Sequence, residues 1–261
     1  MMEINGRTII ITGASAGIGR ATAVSLAQSG ANIVIIARRE ARLQALAGEL
    51  ADSPGQVLAI AGDIQDPTFA QELIARTVGQ FGRLNVLINN AGVGHLSQLA
   101  EMPLTDVQTI WNTNVNGLIA ATQAAVAQMK RQGGGQIINV SSILGQRPLP
   151  GSGVYCASKT AVNFLSRSLR MELKGENIIV TLVYPGLTTT EFSAARLGQQ
   201  GGSRLGIKGI PAERVARAIV QAIRYGRTEV YVSWYDWLFA HSNRLFPRLI
   251  DWGIGHTNLL G

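Results

Sequence analysis

From Thr8 to Val232, short apolar runs rich in β-branched residues alternate with longer segments of helical spacing. The runs are Thr8 to Ile11, Asn32 to Ala37, Val57 to Ala61, Leu84 to Asn89, Gln136 to Val140, Ile178 to Val183 and a short last one, Glu229 to Val232. Most are apolar nearly throughout, as strands buried on both faces are. The helical segments are Ile18 to Ser29, Arg39 to Leu50, one opening at Pro67, Thr105 to Arg131, Val154 to Leu173 and Pro211 to Tyr225. Gly30 stops the first. Asp66 is placed to cap the third, with Pro67 at its first position. Parallel strands need crossover connections. The alternation therefore predicts one α/β domain, a doubly wound parallel sheet of about seven strands with helices on both faces. It spans residues 1–232, with 233–261 as an apolar C-terminal extension. Within it, 188–209 is too long for an ordinary connection and reads as a substrate lid.

The 261 residues are 46% hydrophobic and 15% charged, the balance of a globular chain. Its formal charge of +7 comes from scattered basic residues, densest at Arg38-Arg39 with Arg42 and at Lys130-Arg131. No long basic run is interleaved with aromatics, so nucleic acid is not an expected partner. One cysteine, Cys156, leaves no internal disulfide. That suits a reducing compartment, and the segment from Met1 to Arg7 lacks a secretory pattern, so the expected location is cytoplasmic.

The first strand runs into Thr12-Gly13-Ala14-Ser15-Ala16-Gly17-Ile18-Gly19. Glycines here permit a tight turn and a close approach of diphosphate to backbone, and the helix that follows offers free N–H groups and a positive dipole end. A glycine triplet after a strand and at a helix start, in the first βαβ unit, marks a dinucleotide site. At the end of the second strand, Ala37 stands where an acid would bind ribose hydroxyls, and Arg38 and Arg39 follow. Arginine attracts a 2′-phosphate. The expected cofactor is therefore NADP(H) in preference to NAD(H), with Arg38 favoured of the two arginines.

Tyr155 and Lys159 lie one turn apart at a helix start, on one face. A nearby ammonium, with an oxidised nicotinamide, would favour the phenolate and fit the tyrosine for acid/base work. The ordered set Thr12-Gly13-x-x-x-Gly17-x-Gly19, Asn89-Asn90-Ala91-Gly92, Asn139-Val140-Ser141-Ser142, Tyr155-Cys156-Ala157-Ser158-Lys159 and Pro185-Gly186 resembles the short-chain dehydrogenase/reductase family. The resemblance runs from about Ile4 to Val232.

The resemblance implies a Rossmann-like fold and roles for individual residues. Tyr155 is then the catalytic acid/base, and Lys159 holds the nicotinamide ribose and lowers the tyrosine pKa. Ser142, at the family spacing from Tyr155, binds the substrate oxygen, with Ser141 as the alternative. Asn114 supports a water relay, with Asn112 and Asn116 nearby. Asp63 and Ile64 touch adenine, Asn90, Ala91 and Gly92 line the adenosine ribose, and Pro185, Gly186, Thr188 and Thr190 grip the carboxamide. The cradle comprises Gly13, Ser15, Ala16, Gly17, Ile18 and Gly19. One departure is Ala16, where many NADP-linked members carry a basic residue, which leaves the 2′-phosphate to Arg38 and Arg39. The family also implies a homodimer or homotetramer.

The expected activity is hydride exchange between NADP(H) and a carbonyl or secondary alcohol. Two other readings stay open: an epimerase or dehydratase on the same fold, and a non-catalytic cofactor sensor or scaffold. Leu144, Gln146, Leu149, Leu187 and Phe192 are candidates for an apolar pocket edge, which hints at a lipid-like substrate. His95 reads as a pocket or a loop residue, and Cys156 as packing. His241 and His256 lack a metal-ligand grouping, so no metal is expected. The extension holds Trp234, Tyr235, Trp237, Leu238, Phe246 and Trp252 with Arg244 and Arg248. It reads as packed structure, a pocket cover, a subunit contact or a peripheral membrane contact.

Overall fold

A computed structural model describes residues 2–198 and 209–255. Its main sheet has seven parallel strands: β1 (Thr8–Thr12), β2 (Asn32–Ala37), β3 (Val57–Ala61), β4 (Val86–Asn89), β5 (Gly135–Val140), β6 (Ile178–Tyr184) and β7 (Glu229–Tyr231). The spatial order is β3-β2-β1-β4-β5-β6-β7. Pairing is in register from Thr8 opposite Asn32 to Tyr231 opposite Tyr184. The order reverses between β1 and β4, so a crevice forms at their carboxyl ends.

The predicted burial on both faces is met at β1, where every residue is buried. Ile9 and Ile11 face a cluster with Ala23 and Leu26 of α1 (Gly17–Gln28), Leu43 and Leu46 of α2 (Glu40–Glu49), and Ile219 of the later helix Ala212–Tyr225. Ile10 faces the other way, toward Leu73 of α3 (Pro67–Phe81) and residues Ala121, Ala125 and Met129. Each such isoleucine contributes about 1.5–3 kcal/mol by leaving water. Asp66 caps α3 as expected, accepting from the Thr68 N–H at 2.9 Å.

The stretch expected as one helix from Thr105 to Arg131 is interrupted. It divides into α4 (Leu104–Trp111), a π-helical turn (Asn112–Asn116) and α5 (Gly117–Arg131). A π-bulge adds one residue to a turn and leaves the flanking pattern helical, so spacing alone does not reveal it. Then come α6 (Gly153–Glu172), α7 (Ala212–Tyr225), α8 (Trp234–Leu245) and α9 (Pro247–Gly255).

Of the expected lid, Thr188–Thr189 pairs with Ile210–Pro211, and Leu197–Gly198 pairs with His95–Leu96. Residues 199–208 lie outside the described residues, as do 256–261 of the extension. The extension rests on the rim of the sheet. Asp236, in a capping box with Ser233, sits where a side chain on Gly186 would collide with it. Asp251 of α9 forms an ion pair with the buried Arg147.

Candidate active site

The crevice is built first by backbone. Thr12 Oγ1 accepts from the N–H groups of Asn90 and Ala91, both at 3.0 Å, and Asn90 Nδ2 donates to the Thr12 carbonyl at 2.9 Å. These bonds lock the ends of β1 and β4 together. A Cβ on Gly13 would lie 2.8 Å from Ala91 Cα, and one on Gly19 would lie 2.4 Å from the Gly13 oxygen. Only glycine allows this closeness. Ala16 caps α1 with extended backbone and no side-chain bond, and no acid occupies the first turn. Uncapped N–H groups at a helix start favour an anion. The residues present thus fit the diphosphate of a dinucleotide.

At the β2 end, Arg39 donates to Ser15 Oγ from Nε at 3.2 Å and from its terminal nitrogen at 2.9 Å. Arg38 lies 3.9 Å from Asp63 and is largely exposed. Asp63 also accepts from the Gln65 N–H at 3.0 Å. Ile64 is buried, and its carbonyl fills the space beside Gly117. Arg38, Arg39 and Asp63 therefore border one end of the crevice, while Ile64 also serves the core and Ile18 packs at its edge.

Across the switch point, α6 carries Tyr155 and Lys159. Ser142, after the end of β5, accepts from the Leu144 N–H at 3.1 Å and lies beside the Tyr155 phenol, whose pKa it lowers. Ser141 faces elsewhere: it donates to Asn163 Oδ1 at 2.6 Å and is buried. Of the two serines, Ser142 is the one at the phenol. Lys159 is buried, and its Nζ donates to the Val140 carbonyl at 2.9 Å and lies 6.0 Å from the Tyr155 ring centre. Asn114, in the π-turn, accepts from the Val93 N–H at 2.8 Å and donates to the Val93 carbonyl and to Ser158 Oγ, both at 3.0 Å. Asn112 and Asn116 instead bond each other. Gly92 fits between Asn114 and Lys159.

The expected lowering of the Tyr155 pKa is not found with the protein's groups alone. Burial pushes the phenol up to about 12, and Ser142 opposes this only in part. Burial also brings Lys159 down to about 8. The ammonium is turned to Val140, and the group that lowers the phenol's pKa against burial is Ser142.

The loop after β6 closes the other side. The Pro185 carbonyl accepts from the Ile143 N–H at 3.1 Å, and Thr188 donates to the Gly186 carbonyl at 3.0 Å. Thr190 lies against Gly17, and Phe192 against Tyr155 at 5.8 Å between ring centres. His95 is buried, with Nε2 3.3 Å from Asp106. Sequence reasoning gave no role to Thr12's bonds, Ser158, Asn163 or Glu191. Ser158 and Asn163 are polar positions on the buried face of α6, and the side chains they meet, Asn114 and Ser141, are distant in the chain.

A family model described as short chain dehydrogenase matches residues 7–200. Sulfoacetaldehyde reductase 2 of Chromohalobacter salexigens is 38% identical over 73% of this chain and 76% of its own. An 11-beta-hydroxysteroid dehydrogenase-like protein of Arabidopsis thaliana is 32% identical over 96% of this chain and 81% of its own. A short chain dehydrogenase/reductase from Burkholderia phymatum, solved in complex with NAD, superposes with a TM-score of 0.87 at 25% identity. That match covers 96% of this chain and 97% of the other.

Proposed function

The chain belongs to the short-chain dehydrogenase family of oxidoreductases, and from that premise we propose that it exchanges a hydride between NADP(H) and a carbonyl or secondary alcohol, with Tyr155 as acid/base. The observation that carries this reading is the Tyr155 phenol set beside Ser142, one turn from the buried Lys159 and with Asn114 nearby. A bound nicotinamide supplies or accepts the hydride. In reduction, Ser142 and Tyr155 donate hydrogen bonds to the substrate oxygen, which favours negative charge as it develops there. Tyr155 then gives its proton to that oxygen. Lys159 holds positive charge close to the phenol and, with Asn114, positions the proton path.

Gly13, Ser15, Ala16, Gly17, Ile18 and Gly19 would cradle the diphosphate, Asp63 and Ile64 would meet adenine, and Asn90, Ala91 and Gly92 would line the ribose. Pro185, Gly186, Thr188 and Thr190 would hold the carboxamide. Arg38 and Arg39, with no acid at Ala37, support NADP(H). The partly exposed Leu187 and Phe192 support an apolar, lipid-like substrate. The exposed Phe164 and Met171 on α6 support association with a second copy. Exposed Trp234, Trp237, Leu238 and Leu245 form a stripe on α8 that supports a peripheral lipid contact by a cytoplasmic protein. Among the described residues no helix is long and apolar enough to cross a membrane.

The test is a carbonyl and alcohol panel read at the reduced-nicotinamide absorbance, with each cofactor in turn. Tyr155→Phe should lower turnover by about 10²–10⁴-fold with nucleotide binding retained. Near-normal turnover in that variant refutes the assignment.

A further inference from the structure

Three consecutive residues link the parts of the crevice. Thr190 packs against the glycine turn, where an added Cβ on Gly17 would lie 3.1 Å from its own Cβ. Phe192 rests on the Tyr155 ring. Between them, Glu191 reaches the arginines that follow β2. Its Oε2 accepts from Arg42 at 2.6 Å and from Arg39 at 3.3 Å. Arg39 thus has a hand on both sides, on Ser15 of the cradle and on Glu191. Among the described residues no other acid lies within ion-pair distance of Arg39 or Arg42.

We propose that Glu191 is a specificity-determining residue for the nucleotide, a resident counter-ion that competes with the adenosine 2′-phosphate for Arg39 and Arg42. The proposal rests on the cofactor reading above and adds a residue that opposes it. A 2′-phosphate offers two guanidiniums more charge and more acceptor oxygens than one carboxylate, so it can take the pair. To do so it must displace Glu191 or share the arginines at the cost of repulsion. A nucleotide with a free 2′-hydroxyl brings no such charge, and Glu191 keeps its partners. The carboxylate therefore narrows the gap between NADP(H) and NAD(H) that the arginines alone would open. Hydrogen bonds from Arg42 and Arg39 hold its carboxyl below the usual carboxylate range, so it is charged at neutral pH. The pair is half exposed, which limits the effect to that of a surface ion pair.

The experiment is a fluorescence titration of NADPH and NADH against the intact wild type, Glu191→Gln and Arg39→Gln. Glu191→Gln keeps the shape and removes the charge. It should tighten NADPH about three- to fivefold, with NADH held within about 1.5-fold. The gain should shrink at high salt, since exposed charges are screened. Unchanged or weaker NADPH binding, or an equal shift for both nucleotides, overturns the proposal. Arg39→Gln separates the two levels of the argument. If it weakens NADPH selectively while Glu191→Gln does nothing, the counter-ion role alone fails. If it leaves NADPH unaffected, the placement of the 2′-phosphate on Arg39 fails, and the counter-ion role with it.

Discussion

Lys159 stands 6.0 Å from the centre of the Tyr155 ring, yet its ammonium is bonded to the Val140 carbonyl and not to the phenol. The two groups are neighbours whose pKa values burial moves in opposite directions, the phenol up to about 12 and the ammonium down to about 8. Each shift disfavours the charged form. A nucleotide ribose and ring entering between them would alter both environments at once.

The lysine shift makes stability depend on pH. Below about pH 8, folded and unfolded chains both hold the proton. Between about 8 and the ordinary value of 10.5, the unfolded chain keeps it and the folded chain does not, so stability rises with pH. From about pH 7.5 to 9.5 the gain is on the order of 2 kcal/mol. Above about pH 10 Tyr155 opposes it, because the folded chain retains a phenolic proton that the unfolded chain loses. Urea unfolding of the nucleotide-free wild type should show the rise, and Lys159→Met should lack it. Parallel pH profiles for the two proteins would contradict the placement of Lys159.

Asn114 satisfies both backbone groups of Val93. Asn114→Ala leaves that N–H and carbonyl without these partners and frees Ser158. We expect a loss of about 2–3 kcal/mol in chemical unfolding. Turnover should fall at least about tenfold, since the residue also borders Lys159 through Gly92. Wild-type stability in the variant would show that these bonds are replaceable by water.

Gly19→Ala puts a methyl 2.4 Å from the Gly13 oxygen. The backbone of the turn must yield, and a shift of that kind costs about 1–3 kcal/mol. Nucleotide affinity should drop by more than about tenfold, measured by titration, while circular dichroism still shows the α/β signature. Unchanged affinity would mean that the diphosphate does not sit on this turn.

Trp234→Ser with Trp237→Ser removes two exposed indoles from α8 and leaves the Ser233–Asp236 cap in place. Binding of the intact protein to anionic phospholipid vesicles in a flotation assay should fall several-fold. Turnover of a small soluble substrate should be retained. Equal flotation of variant and wild type, or none by either, removes the lipid reading.

The strands and their parallel order were legible because a buried strand leaves an uninterrupted apolar run, and glycine or proline marks most of the turns. The site was legible where its residues share one short segment, as Tyr155 and Lys159 do. Three features were hidden for physical reasons. The π-turn at Asn112–Asn116 keeps helical spacing on both sides of itself. The phenol's pKa is set first by how deeply the ring is buried, which no spacing records. The bonds of Glu191 to Arg39 and Arg42 join residues far apart in the chain, through side chains at the surface.

The widened turn between α4 and α5 also sets what kind of mutation this region can absorb. Each residue of an α-helix advances the chain by about 100°. The wide turn takes up one residue more than an α-turn would, so removing one residue from it would regularise the helix and leave the faces on either side nearly in phase. Ile110 would keep its buried seat, and Leu118 and Ala121 theirs. What such a deletion would take away is the bulge that carries Asn114 to Val93 and Ser158, whereas the same deletion within α4 or α5 would slip the gearing between the two helices.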